Sequence, residues 1–149
     1  MKSVDTIGSL LSLKGRELWS VAPAATVYEA IEKMSEKGVG ALLVMSEGKL
    51  AGMISERDYA RKVILKDRSS KHTLVREIMT SPVITVTPRH YVEECMRTMT
   101  ENRIRHLPVL DRDQVVGIVS IGDLVNWIIT AHEETIGHLQ SYIAGNYPG

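Results

Sequence analysis

Apolar and polar residues follow one another along this chain at two spacings, one typical of helices and the other typical of strands. In the first half, the helical spacing predicts helices at residues 4–13, 27–38 and 55–66. Alternating or continuous apolar runs predict strands at residues 17–22, 41–45 and 50–55. The pattern therefore predicts a β-α-β-β-α unit that is preceded by a helix.

The second half of the chain repeats this order of elements. The same spacings predict helices at residues 74–79 and 91–101, and strands at residues 83–86, 106–110 and 115–120. A last helix begins near Ile121 and is expected to run past His138. Its surplus of apolar residues from Ile128 onward fits either an oligomer contact or packing back on a leading helix.

A duplicated motif at the end of each unit indicates that the two halves are copies. Ser55 and Asp58 follow an apolar run that ends near a glycine, and Ser120 and Asp123 return in the same setting 65 positions later. Self-similarity at a fixed period predicts one supersecondary unit used twice. The expected fold class is α/β (α+β), with two β-α-β-β-α repeats related by pseudo-twofold symmetry. We divide the chain into a first repeat, a linker, a second repeat, and a C-terminal helix extension with its tail, at residues 7–65, 66–73, 74–130 and 131–149.

The composition narrows the classes of protein that the chain can belong to. Its 18 basic residues balance 18 acidic ones, so no global charge favours nucleic acid or an anionic membrane. Phe is absent, which leaves little for stacking on nucleic-acid bases. No apolar run approaches the roughly 20 residues of a membrane span, and the start lacks the apolar stretch of a secretory signal. Cys95 is the single cysteine, so a reducing cytoplasm is expected.

The duplicated Ser-x-x-Asp motif has two interpretations. In the first, it is a helix cap, in which Ser accepts a backbone N–H and Asp favours the positive end of the helix. In the second, the helix start and the Ser hydroxyl bind a phosphate, and the two carboxylate oxygens accept hydrogen bonds from the adjacent hydroxyls of a ribose. The repetition of the motif at matched positions of two related clefts favours the second interpretation.

A basic stretch in the second repeat also suggests phosphate binding. Arg105 can donate two hydrogen bonds to a phosphate, and His106 would make that binding depend on pH. The alternative is a solvated basic helix end. The first repeat carries a glycine-rich segment at residues 38–41 instead, so only Arg57 or Arg61 can supply positive charge to its cleft. The two clefts are therefore expected to differ in ligand or affinity.

Motifs for metal binding or catalysis are missing from the sequence. The histidines lack metal-ligand spacing, and Cys95 lies on an apolar helical stripe. Neither a nucleophile elbow nor a GK[ST] phosphate loop occurs. We therefore expect no metal and no enzymatic activity.

Taken together, the motifs resemble a CBS-domain pair, the nucleotide-sensing module named after cystathionine beta-synthase, over nearly the whole chain. The motifs that carry the resemblance are Gly52-Met53-Ile54-Ser55-Glu56-Arg57-Asp58, Gly117-Ile118-Val119-Ser120-Ile121-Gly122-Asp123, Ile78-Met79-Thr80, Val83-Ile84-Thr85-Val86-Thr87-Pro88 and Arg105-His106-Leu107-Pro108-Val109. The resemblance implies that the repeats pack by their sheets and leave two clefts for adenosine-containing ligands. It also implies a stand-alone module that acts on a partner protein or through its own homodimer.

The resemblance assigns roles to individual residues by their place in these motifs. Lys14 and Gly15 stand where the second unit has Met79 and Thr80, so the two clefts differ on the adenine side. The implied contacts are Asp58 and Asp123 to ribose, Ser55 and Ser120 to phosphate or ribose, Arg105 and His106 to phosphate, and Ser20, Val21, Thr80, Thr85 and Val86 to adenine. Arg57 joins the candidate ligand contacts on the strength of its charge alone.

These features predict a regulatory sensor that binds AMP, ADP, ATP or NAD(H) between the repeats and shifts their relative angle. A ligand-free structural or oligomerisation adaptor is the alternative. A small nucleotide-processing enzyme that uses Asp58 or Asp123 with His106 is a third hypothesis, supported only by carboxylates and a histidine near one cleft.

Overall fold

The computed structural model describes residues 5–131, and two repeats follow one another within that range. The helices are α1 (Ile7–Lys14), α2 (Val27–Lys37), α3 (Glu56–Lys62), α4 (Val75–Ile78), α5 (Val92–Asn102) and α6 (Ile121–Ala131). The strands are β1 (Ser20–Val21), β2 (Ala41–Ser46), β3 (Lys49–Ser55), β4 (His106–Asp111) and β5 (Gln114–Ser120). Two short 3₁₀ helices, Ile64–Lys66 and Ser70–His72, occupy the stretch that joins the repeats.

The two β-hairpins have matching registers, which confirms the duplication. In the first hairpin Ala41 lies opposite Ser55, and in the second His106 lies opposite Ser120, at the same shift of the sequence. Each hairpin also carries an irregularity at the matching place, after Val44 in the first and after Val109 in the second. The sheets face each other through Leu43, Met53, Ile118 and their apolar neighbours.

The first strand of the second repeat is shorter than the sequence predicts. Residues 83–86 were expected to form a strand, yet only one parallel bridge forms there, between Val86 and Val109. In the first repeat, the N–H of Leu43 donates to the carbonyl of Trp19. The residue that corresponds to Leu43 is Pro108, which has no N–H to donate. The matching hydrogen bond to Ile84 therefore cannot form.

The helix in front of each repeat, α1 for the first and α4 for the second, packs against the other repeat. Ile7 and Leu11 of α1 lie in the core of the second repeat, whereas Val75 of α4 lies in the core of the first. Backbone hydrogen bonds fix both exchanges: Val92 N–H donates to the carbonyl of Asp5, and Val27 N–H donates to that of Thr73, each at 2.8 Å. The sequence pattern predicted a helix in front of each unit, and the structure shows which repeat each helix packs against.

The described part of α6 packs back on the start of the chain. The indole Nε1 of Trp127 donates to Asp5 Oδ1 at 3.1 Å, and Trp127 and Ile128 pack against the core that α1 completes. Up to residue 131, these contacts support the interpretation in which the last helix packs on a leading helix. The expected continuation past His138, and with it the oligomer contact, lies outside the described residues.

Candidate ligand-binding cleft

A cavity of about 680 Å³ lies between the two repeats. Five segments form its walls: the junction of β3 and α3, the segment that follows α4, the connection from α5 to β4, the start of β2, and the junction of β5 and α6. The residues that line it are Gly40, Ala41, Met53, Ser55, Glu56, Arg57, Asp58, Arg61, Thr80, Pro82, Val83, Ile84, Asn102, Arg103, Ile104, Arg105, His106, Ser120 and Ile121.

Ser55 and Asp58 form a complete capping box at the start of α3. Asp58 N–H donates to Ser55 Oγ at 3.1 Å, and Ser55 N–H donates to Asp58 Oδ2 at 3.0 Å. Ser55 Oγ also donates to Oδ2 at 3.1 Å, and Lys62 Nζ lies 3.1 Å from Asp58 Oδ1. A carboxylate has about four lone-pair positions, so the cap leaves acceptor capacity. The cap holds the Asp58 carboxylate in place at the cavity wall, and capping and ligand binding are compatible roles.

Four arginines bring positive charge to the cavity. Arg57 and Arg61 project from α3, and Arg103 and Arg105 come from the connection between α5 and β4. The ion pairs found within residues 5–131 do not involve any of these four guanidinium groups. The carboxylates in the lining are those of Glu56 and Asp58, and Asp58 is paired with Lys62. The cavity wall therefore carries an excess of positive charge over negative charge.

His106 lies in the cavity wall, at the start of β4. Burial lowers the pKa of its imidazole, Lys14 and Arg105 lower the pKa further, and the Asp123 carboxylate opposes them. The imidazole is therefore neutral near pH 7 and can accept or donate one hydrogen bond. An anion in the cavity would favour its charged form.

The part of the wall formed by the segment after α4 is apolar. Pro82, Val83 and Ile84 line it, and Ile84 is 40% exposed. Thr80 holds this segment against β3, because its N–H donates to the Met53 carbonyl at 2.8 Å and its carbonyl accepts from Met53 N–H at 3.1 Å. The wall thus offers an apolar surface of the kind that an aromatic base can cover.

The structure brings together only part of the predicted site. Ser55, Arg57, Asp58, Thr80, Arg105, His106 and Ser120 line the large cavity. The predicted adenine contacts Ser20, Val21, Thr85 and Val86 do not line it, and Val86 is buried in the core of the second repeat.

Sequence reasoning missed Val83 and Ile84, which precede the expected pair Thr85 and Val86 by two positions. Pro108 was the available signal. It shortens the paired strand, and it frees Ile84 from the sheet, so Ile84 can face the cavity.

The second Ser-x-x-Asp motif has a different environment. Ser120 N–H donates to Asp123 Oδ2 at 2.8 Å and Asp123 N–H donates to Ser120 Oγ at 3.1 Å, as in the first motif. Here, however, Lys14 Nζ donates to the same Oδ2 at 2.6 Å and to the carbonyl of Ile118 at 2.6 Å. Burial tends to raise the pKa of Asp123, but the hydrogen bonds from Lys14 and Ser120 outweigh it and lower that pKa. A cavity of about 220 Å³ lies beside this pair.

The large cavity draws its walls from both repeats. The sequence had assigned Arg105 and His106 to a cleft of the second repeat and residues 38–41 to a cleft of the first. In the structure, Arg105 and His106 share one cavity with Asp58 of the first repeat, and Gly40 and Ala41 line it too. The positive charge and the first Ser-x-x-Asp motif therefore belong to the same site.

The fold and the cavity define a tandem-repeat module with a composite ligand cleft. The family model for the CBS domain matches residues 13–65 and 75–130, and the chain therefore belongs to the CBS-domain family. The CBS-domain pair is a regulatory ligand-binding module, and CBS-domain proteins are generally regulatory or signal-transduction modules rather than enzymes.

Relatives of known sequence and structure agree with this assignment. The CBS domain-containing protein CBSX3, mitochondrial, of Arabidopsis thaliana is 44% identical in a match that covers 95% of this chain and 73% of that protein. The structure of a protein with CBS domains from Burkholderia ambifaria MC40-6 has 50% identity and a TM-score of 0.82, covering 84% of this chain and 94% of that one. The CBS domain pair of protein MJ0100, solved in complex with 5'-methylthioadenosine and S-adenosyl-L-methionine, has 26% identity and a TM-score of 0.73, covering 83% and 94%.

Two further properties concern metal binding and membrane crossing. Among residues 5–131, no group of three or more His, Cys, Asp or Glu side chains is arranged to hold a metal ion. In the same range, no helix has the length and apolar character that a membrane crossing requires.

Proposed function

We propose that this chain is a regulatory module that binds an adenosine-containing ligand with phosphate groups in the cleft of Asp58. The observation that carries this proposal is the composition of a single cavity. It combines a fixed carboxylate at Asp58, an apolar wall at Val83 and Ile84, and four arginines that form no ion pair within residues 5–131. Ribose, adenine and phosphate each match one of these three parts.

The Asp58 carboxylate is the proposed ribose contact. The capping box already orients it, so little side-chain entropy is lost when a ribose hydroxyl donates to it. The adenine ring would cover Val83 and Ile84, where burial of apolar surface favours binding. The MJ0100 complex supports this class of ligand, since its two ligands contain adenosine.

The charge of the cavity favours phosphate over a sulfonium ligand. Arg57, Arg61, Arg103 and Arg105 supply donors that match phosphate geometry and can bind it bidentately. The same charges would repel the positive sulfonium of S-adenosylmethionine. AMP, ADP, ATP and NAD(H) are therefore the proposed ligands.

Ligand binding would regulate a partner protein or the chain's own homodimer. A ligand that touches both repeats can shift their arrangement only by as much as it prefers one arrangement over the other. The Asp58 cleft is suited to this, because its walls come from the two repeats. We place the module in a reducing compartment such as the cytoplasm, consistent with the single buried thiol of Cys95.

A thermal-shift panel tests the proposal with AMP, ADP, ATP, NAD, NADH, S-adenosylmethionine and 5'-methylthioadenosine. The protein is first unfolded, stripped of co-purified nucleotide and refolded. Ligand at about 100 times its Kd stabilises the native state by roughly 2.7 kcal/mol, which raises Tm by several degrees in a domain of this size. We expect a shift with phosphate-bearing ligands. No shift with any ligand would overturn the proposal and favour the adaptor.

The Asp58→Asn variant tests whether the nucleotide binds in this cleft. The substitution keeps the size of the side chain but removes the charge that accepts the ribose hydroxyls, so we expect loss of the nucleotide shift. Glu36→Gln is the matched control, because Glu36 is an exposed carboxylate of α2 and does not line the cavity. Unchanged affinity in Asp58→Asn would contradict the assignment.

A further inference from the structure

The two copies of the Ser-x-x-Asp motif differ in the cation that meets the carboxylate. In the first copy the cation is Lys62, four residues along the same helix, and it contacts Asp58 Oδ1. In the second copy it is Lys14, which comes from α1 and contacts Asp123 Oδ2. The Lys62–Asp58 pair lies within α3, although the same ammonium also donates to the Ile78 carbonyl of α4 at 2.8 Å. The Lys14–Asp123 pair joins the start of the chain to α6.

Lys14 also replaces a backbone contact of the first copy. There, Thr80 N–H donates to the carbonyl of Met53 on β3. The residue of β5 that corresponds to Met53 is Ile118, and its carbonyl accepts from Lys14 Nζ at 2.6 Å. A single ammonium thus binds the carboxylate of the second motif and the carbonyl beside it.

The position of Lys14 is fixed by its helix. Leu11, one turn earlier in α1, is 1% exposed and packs against Gly117, where an added Cβ would come within 2.7 Å of Leu11 Cδ2. Gly15 ends the helix with φ 99, a value that L side chains rarely adopt. The helix therefore directs Lys14 at Asp123, and the two side chains retain only 33% and 25% exposure.

We propose that the Lys14 side chain occupies the cleft beside Asp123. It thereby limits the chain to one adenosine-containing ligand, which binds at Asp58. A ribose at Asp123 would meet the Lys14 ammonium in a cavity of only about 220 Å³, whereas the cavity at Asp58 has about 680 Å³. Within residues 5–131, the cation that meets Asp58 comes from its own helix and not from another element. This inference rests on the proposed function and concerns the number of ligands rather than their class.

Titration calorimetry with ATP, repeated with AMP, tests the inference on nucleotide-free protein. We expect one ligand per chain for the wild type, and also for Asp123→Asn. Lys14→Met should raise the stoichiometry to two, and Lys14→Met combined with Asp123→Asn should return it to one. Lys14→Gln serves as a second variant, because its amide can still donate to the Ile118 carbonyl. Lys49→Met, at the exposed start of β3, is the matched control.

Three outcomes would overturn the inference. They are a wild-type stoichiometry of two that Asp123→Asn reduces, a stoichiometry that stays at one in both Lys14 variants, and a loss of affinity in those variants that makes Lys14 a ligand contact.

A carboxyl NMR titration gives a readout that needs no nucleotide. Removal of the ammonium in Lys14→Met should raise the pKa of Asp123, and an unchanged pKa would overturn the internal pair. Absence of binding by every variant, together with the expected pKa rise, would overturn the proposed function but leave the Lys14–Asp123 pair established.

Discussion

A single residue, His106, makes the charge of the cleft depend on pH. Burial lowers the pKa of its imidazole below the ordinary value of 6.5. In the window between the lowered pKa and 6.5, the unfolded chain binds more protons than the folded chain. Stability therefore rises with pH through this window, and it falls as the pH drops below 6.5.

Replacement of His106 should flatten this pH dependence. We expect His106→Gln to lose less stability than the wild type when the pH falls from 7 to 5, because position 106 no longer carries an imidazole that is protonated on unfolding. Urea unfolding at a series of pH values measures this slope. His72→Gln is the control, since His72 is exposed. An identical slope in His106→Gln and the wild type would contradict the assignment.

Cys95 is a core residue rather than a reactive thiol. Its side chain is fully buried, and burial, with the nearby Glu94 carboxylate, raises the pKa of the thiol to about 12. The thiolate is the reactive form, so we expect DTNB to modify Cys95 only after unfolding in denaturant. Modification of the native protein at the rate of a free thiol would show that the α5 core opens readily.

At the scale of elements, close contact between a leading helix and a strand requires glycine. An added Cβ at Gly52 would come within 2.8 Å of the Thr80 carbonyl and of Met79 Sδ. The carbonyl belongs to the backbone bridge between Thr80 and Met53, so it cannot move without breaking that bridge. The same segment positions the apolar wall of the cleft.

Gly52→Ala should therefore destabilise the fold by about 1–3 kcal/mol, the usual cost of overpacking. It should also weaken nucleotide binding, because Thr80 and the residues after it would shift. Denaturant unfolding and the thermal-shift panel measure the two effects. Gly122→Ala is the control, since its nearest neighbour would be Ser120 Oγ at 3.6 Å. Equal stability of the two variants would argue against the close contact.

At the scale of the whole molecule, the exchange of leading helices joins the repeats. The apolar face of α1 completes the second core with Ile7, Leu10 and Leu11, and α4 completes the first core with Val75 and Ile78. The core of the second repeat is therefore incomplete without α1, and the core of the first repeat is incomplete without α4. A ligand that changes the position of one repeat must therefore act on elements of both.

Truncation of α1 side chains should accordingly destabilise the second repeat, which α1 contacts although it is far away along the chain. Leu11→Ala should cost about 2–5 kcal/mol, the range for a large core residue, and hydrogen exchange should increase first in α5, β4 and β5. Leu13→Ala on the same helix is the matched control, because Leu13 is 77% exposed and a surface change is expected to stay within about 0.5 kcal/mol. Loss of protection in β2 and β3 before the second hairpin would contradict the exchange.

Features that depend on local spacing could be predicted from the amino-acid sequence. The repeat, the two hairpins and the Ser-x-x-Asp caps follow from residues that are close along the chain, and the structure contains all of them. The family and the fold class were predicted correctly for the same reason, since duplicated motifs in a fixed order are visible without coordinates. Arg105, His106, Ser55 and Asp58 were likewise identified as candidates, and they line one cavity.

Which segments come into contact could be learned only from the folded chain. The apolar faces of α1 and α4 have similar chemistry, so hydrophobic pattern alone does not say which core each completes. The exchange then places Lys14 on Asp123, and contact between the repeats brings the basic stretch of the second to Asp58 of the first. These contacts join residues far apart in sequence, and their energies depend on packing and burial that no local pattern contains. The composite cleft is for that reason a property of the folded pair.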